Sequence, residues 1–266
     1  MSLADRAFAL RLFVSNHPYA GGAVGSARVS RLLVFGDLHC DRRHLRGLVE
    51  RAVAEHCDAL VSLGDLNYLP REPEGRRFLR SAGALLRRAG LELLLVDGNH
   101  DDAEALAGAD ARTRAPGPVR LGFSLHHLPA GTRFRLGRLR CLAYGGSPIA
   151  HAGRGWFRAA ALERAAFERL AGGGEIDLLF CHDPRTLEQG THARGPFAAL
   201  AAKLRPALVI YGHQHRPHVS AAGQPALVGL GSFRDGQSSA VVLDSDETGR
   251  LVRALRRRPA AQPGAA

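Results

Sequence analysis

Residues 31–39 read RLLVFGDLH, and this stretch decides how the chain is organised. The apolar run Arg31–Phe35 predicts a short strand, and Gly36-Asp37 marks the point where the strand gives way to a loop. A helix is predicted next, because apolar residues recur at helical spacing at Leu45, Leu48, Val49, Ala52 and Val53. A strand, a tight glycine turn and an amphipathic helix in this order are typical of an α/β fold.

The same order of elements continues along the chain. Strands are predicted at 59–63 and 91–96, with an arginine-rich helix at 75–89 between them. Further strands are predicted at 124–128, 133–136, 139–144, 175–181, 207–211, 225–229, 240–243 and 251–254, and further helices at 159–170 and 196–204. A turn at 244–249 is predicted to join the last two strands. The pattern predicts one α/β domain in which two sheets pack face to face with helices outside them.

The composition is that of a globular protein. The chain has 266 residues, of which 45% are hydrophobic, so it is long enough to bury a core without disulfides. No apolar run approaches the roughly 18 residues of a membrane-spanning helix, so no membrane partner is expected, and no secretory signal is predicted at the N-terminus. We expect a leader at 1–30, a single domain at 31–258 and a disordered tail at 259–266.

Charge and cysteine content narrow the class of partner. The formal net charge is +11, and Lys203 is the only lysine, so nearly all the positive charge comes from arginines spread along the chain. This spread fits a compositional bias at least as well as a binding stripe, so nucleic acid is an alternative partner that is not favoured. The four cysteines form no C-x-x-C pair, which argues against a zinc finger and favours a reducing, cytoplasmic location.

Five predicted strands end in segments that carry metal-type ligands. The segments are Gly36-Asp37-Leu38-His39, Gly64-Asp65-Leu66-Asn67, Gly98-Asn99-His100-Asp101, His182-Asp183 and Gly212-His213-Gln214-His215. In open α/β sheets, ligands bind at the carboxyl ends of the strands, so these segments are expected to share one edge. Aspartate and histidine together suit divalent manganese, iron or zinc.

The number of candidate ligands indicates two metal ions rather than one. Seven side chains qualify: Asp37, His39, Asp65, Asn99, His182, His213 and His215. Seven ligands are too many for one tetrahedral zinc and about right for two ions that share a bridging carboxylate. Two ions roughly 3.5–4 Å apart are the arrangement used for in-line attack on phosphorus.

In chain order, the segments D-x-H, G-D, G-N-H-D, a lone histidine and G-H-x-H resemble the motifs of the calcineurin-like metallophosphoesterases. The resemblance covers about residues 31–233, and its strength lies in the order of all five segments, each after a predicted strand. It implies a four-layer α/β/β/α sandwich of two mixed sheets flanked by helices. This fold agrees with the two sheets predicted from the strand pattern.

The resemblance also implies a role for each residue. It assigns Asp37, His39 and His215 to the first ion, Asn99, His182 and His213 to the second, and Asp65 to a bridging position between them. His100 would stand beside the ions as a general acid or as a contact to the transition state. The ions would be manganese, with iron or zinc as alternatives.

One position departs from the family pattern. Many relatives carry a second aspartate three residues after the bridging one, where it orients the catalytic histidine, and Tyr68 occupies that place here. Asp101 or a backbone carbonyl is then the expected partner of His100. Asn67 and Tyr68, just past the bridging aspartate, are the predicted substrate contacts. The departure argues mildly against a protein-phosphatase subtype.

The predicted function is therefore a dinuclear metal-dependent phosphoesterase. It would hydrolyse a phosphate monoester or phosphodiester, either a small molecule or a nucleotide, by attack of a hydroxide that bridges the two ions. A DNA or RNA nuclease with the same metal site is one alternative, and a non-catalytic scaffold on the same fold is another. The sequence leaves the natural substrate and the oligomeric state open.

Overall fold

The structure is a computed structural model that describes residues 29–113, 118–146, 174–184, 203–220, 225–233 and 240–257. The predicted leader up to residue 28, the predicted helix at 159–170 and the predicted tail at 259–266 lie outside these ranges. Of the predicted helix at 196–204, only residues 203–204 are described.

Twelve strands and four helices lie within the described ranges. The strands are β1 (Arg31–Phe35), β2 (Ala59–Ser62), β3 (Leu93–Leu95), β4 (Val119–Gly122), β5 (Leu125–His127), β6 (Arg133–Leu136), β7 (Leu139–Tyr144), β8 (Leu178–Cys181), β9 (Leu208–Tyr211), β10 (His218–Ser220), β11 (Ala226–Gly229) and β12 (Ala240–Asp244). The helices are α1 (Arg42–Ala54), α2 (Pro73–Ala89), α3 (Ala103–Thr113) and α4 (Ser245–Arg257).

The strands form two mixed sheets of six strands each. The first has the order β12-β1-β2-β3-β5-β4 and the second the order β10-β11-β9-β8-β7-β6. In each sheet the four central strands run parallel and both edge strands run antiparallel. The carboxyl ends of β1, β2 and β3 therefore meet at one edge, and so do those of β8 and β9. The predicted fold class is confirmed.

Alternation along each strand divides its side chains between two layers. On β1, Leu32 and Val34 belong to the cluster that fills the space between the sheets, together with Phe180 of the second sheet. Leu33 and Phe35 point the other way and pack against apolar residues of α1 and α2. Both faces of β1 are therefore buried, which fixes the place where the following loop begins.

The C-terminal part of the chain differs from the prediction. Residues 245–257 form helix α4, so the predicted turn at 244–249 and strand at 251–254 are wrong. The Asp244 carboxylate accepts hydrogen bonds from the backbone N–H groups of Asp246 (2.9 Å) and Glu247 (3.1 Å), which starts the helix. Thr248, Val252 and Leu255 are then buried on one helical face. Helix α3 and strands β4 and β10 were not predicted.

Helix α4 ties the two sheets together. It continues directly from β12, which pairs with β1 in the first sheet. Near its other end, Nη2 of Arg256 donates to the carbonyl oxygen of Ile176 (2.7 Å) and to Oδ1 of Asp177 (3.0 Å), just before β8 of the second sheet. None of the described helices has the length and apolar content required to cross a membrane.

His127 on β5 is a buried link between the sheet and helix α3. Its Nε2 lies 2.9 Å from Oδ1 of Asp97, and its Nδ1 lies 3.0 Å from Oδ1 of Asp110 on α3. Burial alone would lower the pKa of His127, but the hydrogen bonds to the two carboxylates raise it to about 9. The imidazolium therefore ties α3 to the loop that follows β3.

This link predicts a pH dependence of stability. Because the pKa of His127 is raised above its ordinary value of 6.5, its contribution is complete below that pH and is lost as the pH rises through about 9. We expect the free energy of unfolding to fall by about 1–3 kcal/mol more in the wild type than in His127→Gln over this interval. Urea denaturation across the interval measures it, with exposed His218→Gln as the control. Parallel pH curves for the wild type and H127Q would contradict the assignment.

Candidate metal centre

The predicted ligands lie where five strands end. Asp37 and His39 follow β1, Asp65 follows β2, Asn99 follows β3, His182 follows β8, and His213 and His215 follow β9. The two sheets thus deliver their polar loops to one place. Asp37, Asp65 and His182 are almost completely buried, at 0%, 1% and 0% exposure.

The side chains form two groups that share one carboxylate. The donor atoms of the first group lie within 4.8 Å of one another and belong to Asp37, His39, Asp65 and His215. Those of the second group meet the same limit and belong to Asp65, His182 and His213. Oδ1 of Asn99 lies 2.9 Å from Nε2 of His182, which places the amide beside the second group. The structure therefore brings all seven predicted ligands together.

Hydrogen bonds on the far side of the imidazoles orient their free nitrogens. Nδ1 of His182 lies 2.8 Å from the carbonyl oxygen of Leu63, and because a carbonyl only accepts, this nitrogen donates. In the neutral ring, Nε2 of His182 is then left with its lone pair facing the site. Nδ1 of His39 lies 3.2 Å from Oδ1 of Asn67, which orients that ring in the same way. Asn67, predicted to contact substrate, thus also positions His39.

Several donor atoms fit a cation. Oδ1 of Asp37 and Nε2 of His39 are buried and have no hydrogen-bond partner among the described residues. Nδ1 of His213 lies 3.0 Å from Nε2 of His182, which carries a lone pair when the ring is neutral. Atoms that face one another in this way need a proton or a cation between them. The mixture of carboxylate, imidazole and amide donors suits a divalent transition metal.

The charges of the buried side chains also favour the binding of a cation between the two donor groups. Burial raises the pKa of Asp37 to about 6, and the negative charge of Asp65 adds to the effect. Burial would lower the pKa of His182, but Asp65 and Asp37 together raise it to about 8. Burial lowers the pKa of His39. Two neighbouring buried carboxylates call for compensating charge, which divalent cations would provide.

Four of the seven residues have left-handed backbone. The φ angles are 50° for His39, 49° for Asp65, 67° for His213 and 56° for His215. Such angles are costly for residues other than glycine and persist only where other contacts enforce them. Here the His39 N–H donates to the carbonyl oxygen of Asp65 (2.9 Å), and the His213 N–H donates to Oδ2 of Asp37 (2.8 Å). The loops that supply the first group therefore hold each other in place.

Asp101 does not orient His100, so that expectation is wrong. Its carboxylate is fully buried and accepts hydrogen bonds from the backbone N–H groups of Tyr68 (2.7 Å) and Gly98 (2.8 Å). It therefore clamps the loops after β2 and β3 to one another. Burial, followed by the charge of Asp65, raises the pKa of Asp101 to about 7.

His100 lies at the open side of the site. Its side chain is 53% exposed, and Nε2 lies 3.9 Å from Oδ2 of Asp65. Among the described residues, the imidazole has no hydrogen-bond partner, so the expected backbone carbonyl is not found there either. The His100 N–H donates to Oδ1 of Asp65 (2.8 Å), which fixes the residue beside the shared carboxylate.

Two further positions differ from the expectations. Tyr68 is only 7% exposed and belongs to the apolar cluster beneath α1 and α2, which leaves little of its ring for a substrate. Asp183 was not predicted, yet it is buried with Oδ2 3.5 Å from Nε2 of His213. Its position directly after His182 was the available signal, since carboxylates commonly orient metal-binding imidazoles.

Glycine at position 98 permits the close approach of two loops. A Cβ atom there would overlap the backbone nitrogen and Oδ1 of Asp65, so we expect Gly98→Ala to destabilise the fold by about 1–3 kcal/mol. The matched control is Gly47→Ala on α1, where a Cβ meets nothing within 4 Å. That change should stabilise by up to about 1 kcal/mol, because alanine is the better helix former. Thermal unfolding of both variants measures the difference, and equal effects would contradict the packing argument.

Comparisons with known proteins agree with the family resemblance and with the fold. The family model for calcineurin-like phosphoesterases matches residues 30–217. The crystal structure of TT1561 from Thermus thermophilus is similar over 83% of this chain and 96% of its own, with a TM-score of 0.54 at 18% sequence identity. This likeness shows a shared fold. No curated protein sequence matches the chain.

Two other solved structures align less closely. A dimetal phosphatase from Danio rerio covers 77% of this chain and 88% of its own, with 14% identity and a TM-score of 0.47. The phosphoesterase Yfce from E. coli covers 81% and 89%, with 18% identity and a TM-score of 0.41. The match to the family model spans most of the described domain, and the chain belongs to the calcineurin-like phosphoesterase family.

Proposed function

We propose that the chain is a phosphoesterase that works with two divalent cations bound around Asp65. The observation that carries the proposal is the pair of donor groups that share this one carboxylate. The first cation would be held by Asp37, His39, His215 and Asp65, and the second by Asp65, Asn99, His182 and His213. A site of this kind binds a phosphoryl group between two positive charges.

The residues of this chain divide the work of hydrolysis. When bound, the two cations would lower the pKa of a water molecule and neutralise charge on the phosphoryl oxygens. Asp65 sets the spacing of the site through two hydrogen bonds. Its backbone oxygen accepts from the His39 N–H, and its Oδ1 accepts from the His100 N–H. His100, the exposed imidazole at the rim, donates a proton to the leaving oxygen of the ester. Asp101 joins the loops after β2 and β3 through its carboxylate and so keeps these groups in position relative to one another.

The substrate class is a phosphate monoester or phosphodiester, small or nucleotide-sized. Manganese is the favoured metal, because imidazole and carboxylate donors are mixed in each group, with iron and zinc as alternatives. A screen of the manganese-loaded protein against monoesters, diesters, dinucleotides and nucleic acids tests the class. All four cysteines lie within the described residues and none of them forms a disulfide, which supports a reducing, cytoplasmic location.

The shared carboxylate provides the sharpest test of the site. We expect Asp65→Asn and His213→Ala to lower hydrolysis of a nitrophenyl phosphodiester by about a thousandfold or more and to reduce bound metal measured by elemental analysis. His218→Ala is the matched control, because His218 is exposed and belongs to neither donor group. Full activity and full metal content in D65N would exclude the proposed function.

The role of His100 predicts a dependence on the leaving group. In His100→Asn, we expect kcat for an alkyl ester to fall by about 10²–10⁴-fold, because a poor leaving group needs the proton. The fall for a nitrophenyl ester should be less than about tenfold, because nitrophenolate leaves without one. Elemental analysis should show unchanged metal content. An equal loss on both esters would mean that His100 does not act as the general acid.

A further inference from the structure

A groove lies directly beside the metal centre on the side of His39. It has a volume of about 760 Å³ and is lined by His39 and Asn67 at its inner end. The first residues of α1 and α2 form its walls, and Phe233 forms part of its surface. Pockets of roughly 300–1,000 Å³ hold organic ligands, so the groove is far larger than a phosphoryl group requires.

The groove is continuous with the metal centre through two residues. His39 belongs to the first donor group, and its imidazole is oriented by Oδ1 of Asn67 at 3.2 Å. Both residues also line the groove. A substituent that extends from the bound phosphoryl group past His39 therefore enters this space. The position of the groove therefore suits the organic part of an ester whose phosphoryl group lies at the donor groups.

The charges in the groove nearly cancel. Oδ2 of Asp41 lies 2.8 Å from Nδ1 of His44, and Oε1 of Glu74 lies 3.4 Å from Nη2 of Arg77, so each of these two carboxylates has a partner within the groove. The two remaining charged side chains of the lining, Arg42 and Glu72, have opposite signs and are exposed.

This balance contrasts with the rest of the protein. The chain carries a formal net charge of +11, yet the groove holds three carboxylates against two guanidinium groups. A nucleic-acid strand is bound through basic side chains that neutralise its phosphates, and the groove offers no excess of them. A polyanion in the groove would meet three carboxylates with only two guanidinium groups to offset them. An uncharged substituent is not repelled by these carboxylates.

The remaining surface suits a group with both polar and apolar faces. The apolar part of the lining is the half-buried Leu69 and the small exposed part of Phe233, whose ring packs on that of His44 with centroids 4.9 Å apart. Asn67, Arg42 and Glu72 supply hydrogen-bond donors and acceptors. Hydroxyl groups and a flat or cyclic body, as in a nucleoside or a sugar, satisfy both requirements.

Resting on the proposed function, we propose that this groove binds the organic substituent of the ester. The substrate is then a phosphate ester of an uncharged, hydroxyl-bearing alcohol of nucleoside or sugar size, and not a polyanionic strand. Arg42 and Glu72 are the residues that determine this specificity.

The test compares two diesters with the same leaving group. They are the nitrophenyl ester of thymidine 5′-phosphate and methyl nitrophenyl phosphate, assayed with the manganese-loaded full chain. We expect the wild type to prefer the thymidine ester by about tenfold or more in kcat/KM. Arg42→Ala and Glu72→Ala should each reduce this preference by about three- to tenfold, through KM, because the groove contributes binding and not chemistry.

Matched controls and a charge reversal complete the test. Arg43→Ala and Glu50→Ala change exposed residues of α1 outside the groove lining and should leave the preference unchanged. Glu72→Lys should raise activity on a single-stranded oligonucleotide several-fold over the wild type. Equal kcat/KM for the two diesters, or a wild type that prefers the oligonucleotide, would overturn the inference alone. If neither diester were hydrolysed, the proposed function would fall with it.

Discussion

The burial of two carboxylates next to one another is the constraint on which the rest of the structure depends. Asp37 and Asp65 are removed from water almost completely, and a buried charge is costly unless hydrogen bonds and opposite charge surround it. The loops meet that cost with backbone N–H groups from His213 and His100 and with the imidazole of His182. Because these groups come from both sheets, the sandwich must form before the site can exist.

The positions of the candidate ligands could be predicted because each follows a strand that the local sequence makes recognisable. The segment Arg31–Phe35 is apolar apart from its first residue, and Gly36-Asp37 ends it, so both the strand and the position of Asp37 follow from neighbouring residues. The sequence predicts a turn and a strand where helix α4 lies, because Leu251 and Val252 resemble a short apolar run. The capping carboxylate of Asp244 and the burial of Thr248 and Leu255 outweigh that pattern.

Features that depend on distant parts of the chain could not be predicted in the same way. The partners of His127 come from the loop after β3 and from α3, and its neighbours in sequence identify neither. Asp101 and Tyr68 lie in motifs that were recognised, yet their contacts follow from how two loops pack. The groove beside His39 joins residues from α1, α2 and Phe233, so its charge balance emerges only from the fold.

The pairing of β1 with β12 has a consequence for biosynthesis. As the chain leaves the ribosome, β1 emerges early, but the antiparallel neighbour that covers its outer edge is translated near the end of the domain. Until then β1 carries an open row of backbone donors and acceptors, which is a surface on which nascent chains aggregate. A nascent molecule stalled before residue 240 would therefore hold the strand that leads into Asp37 without its edge protection.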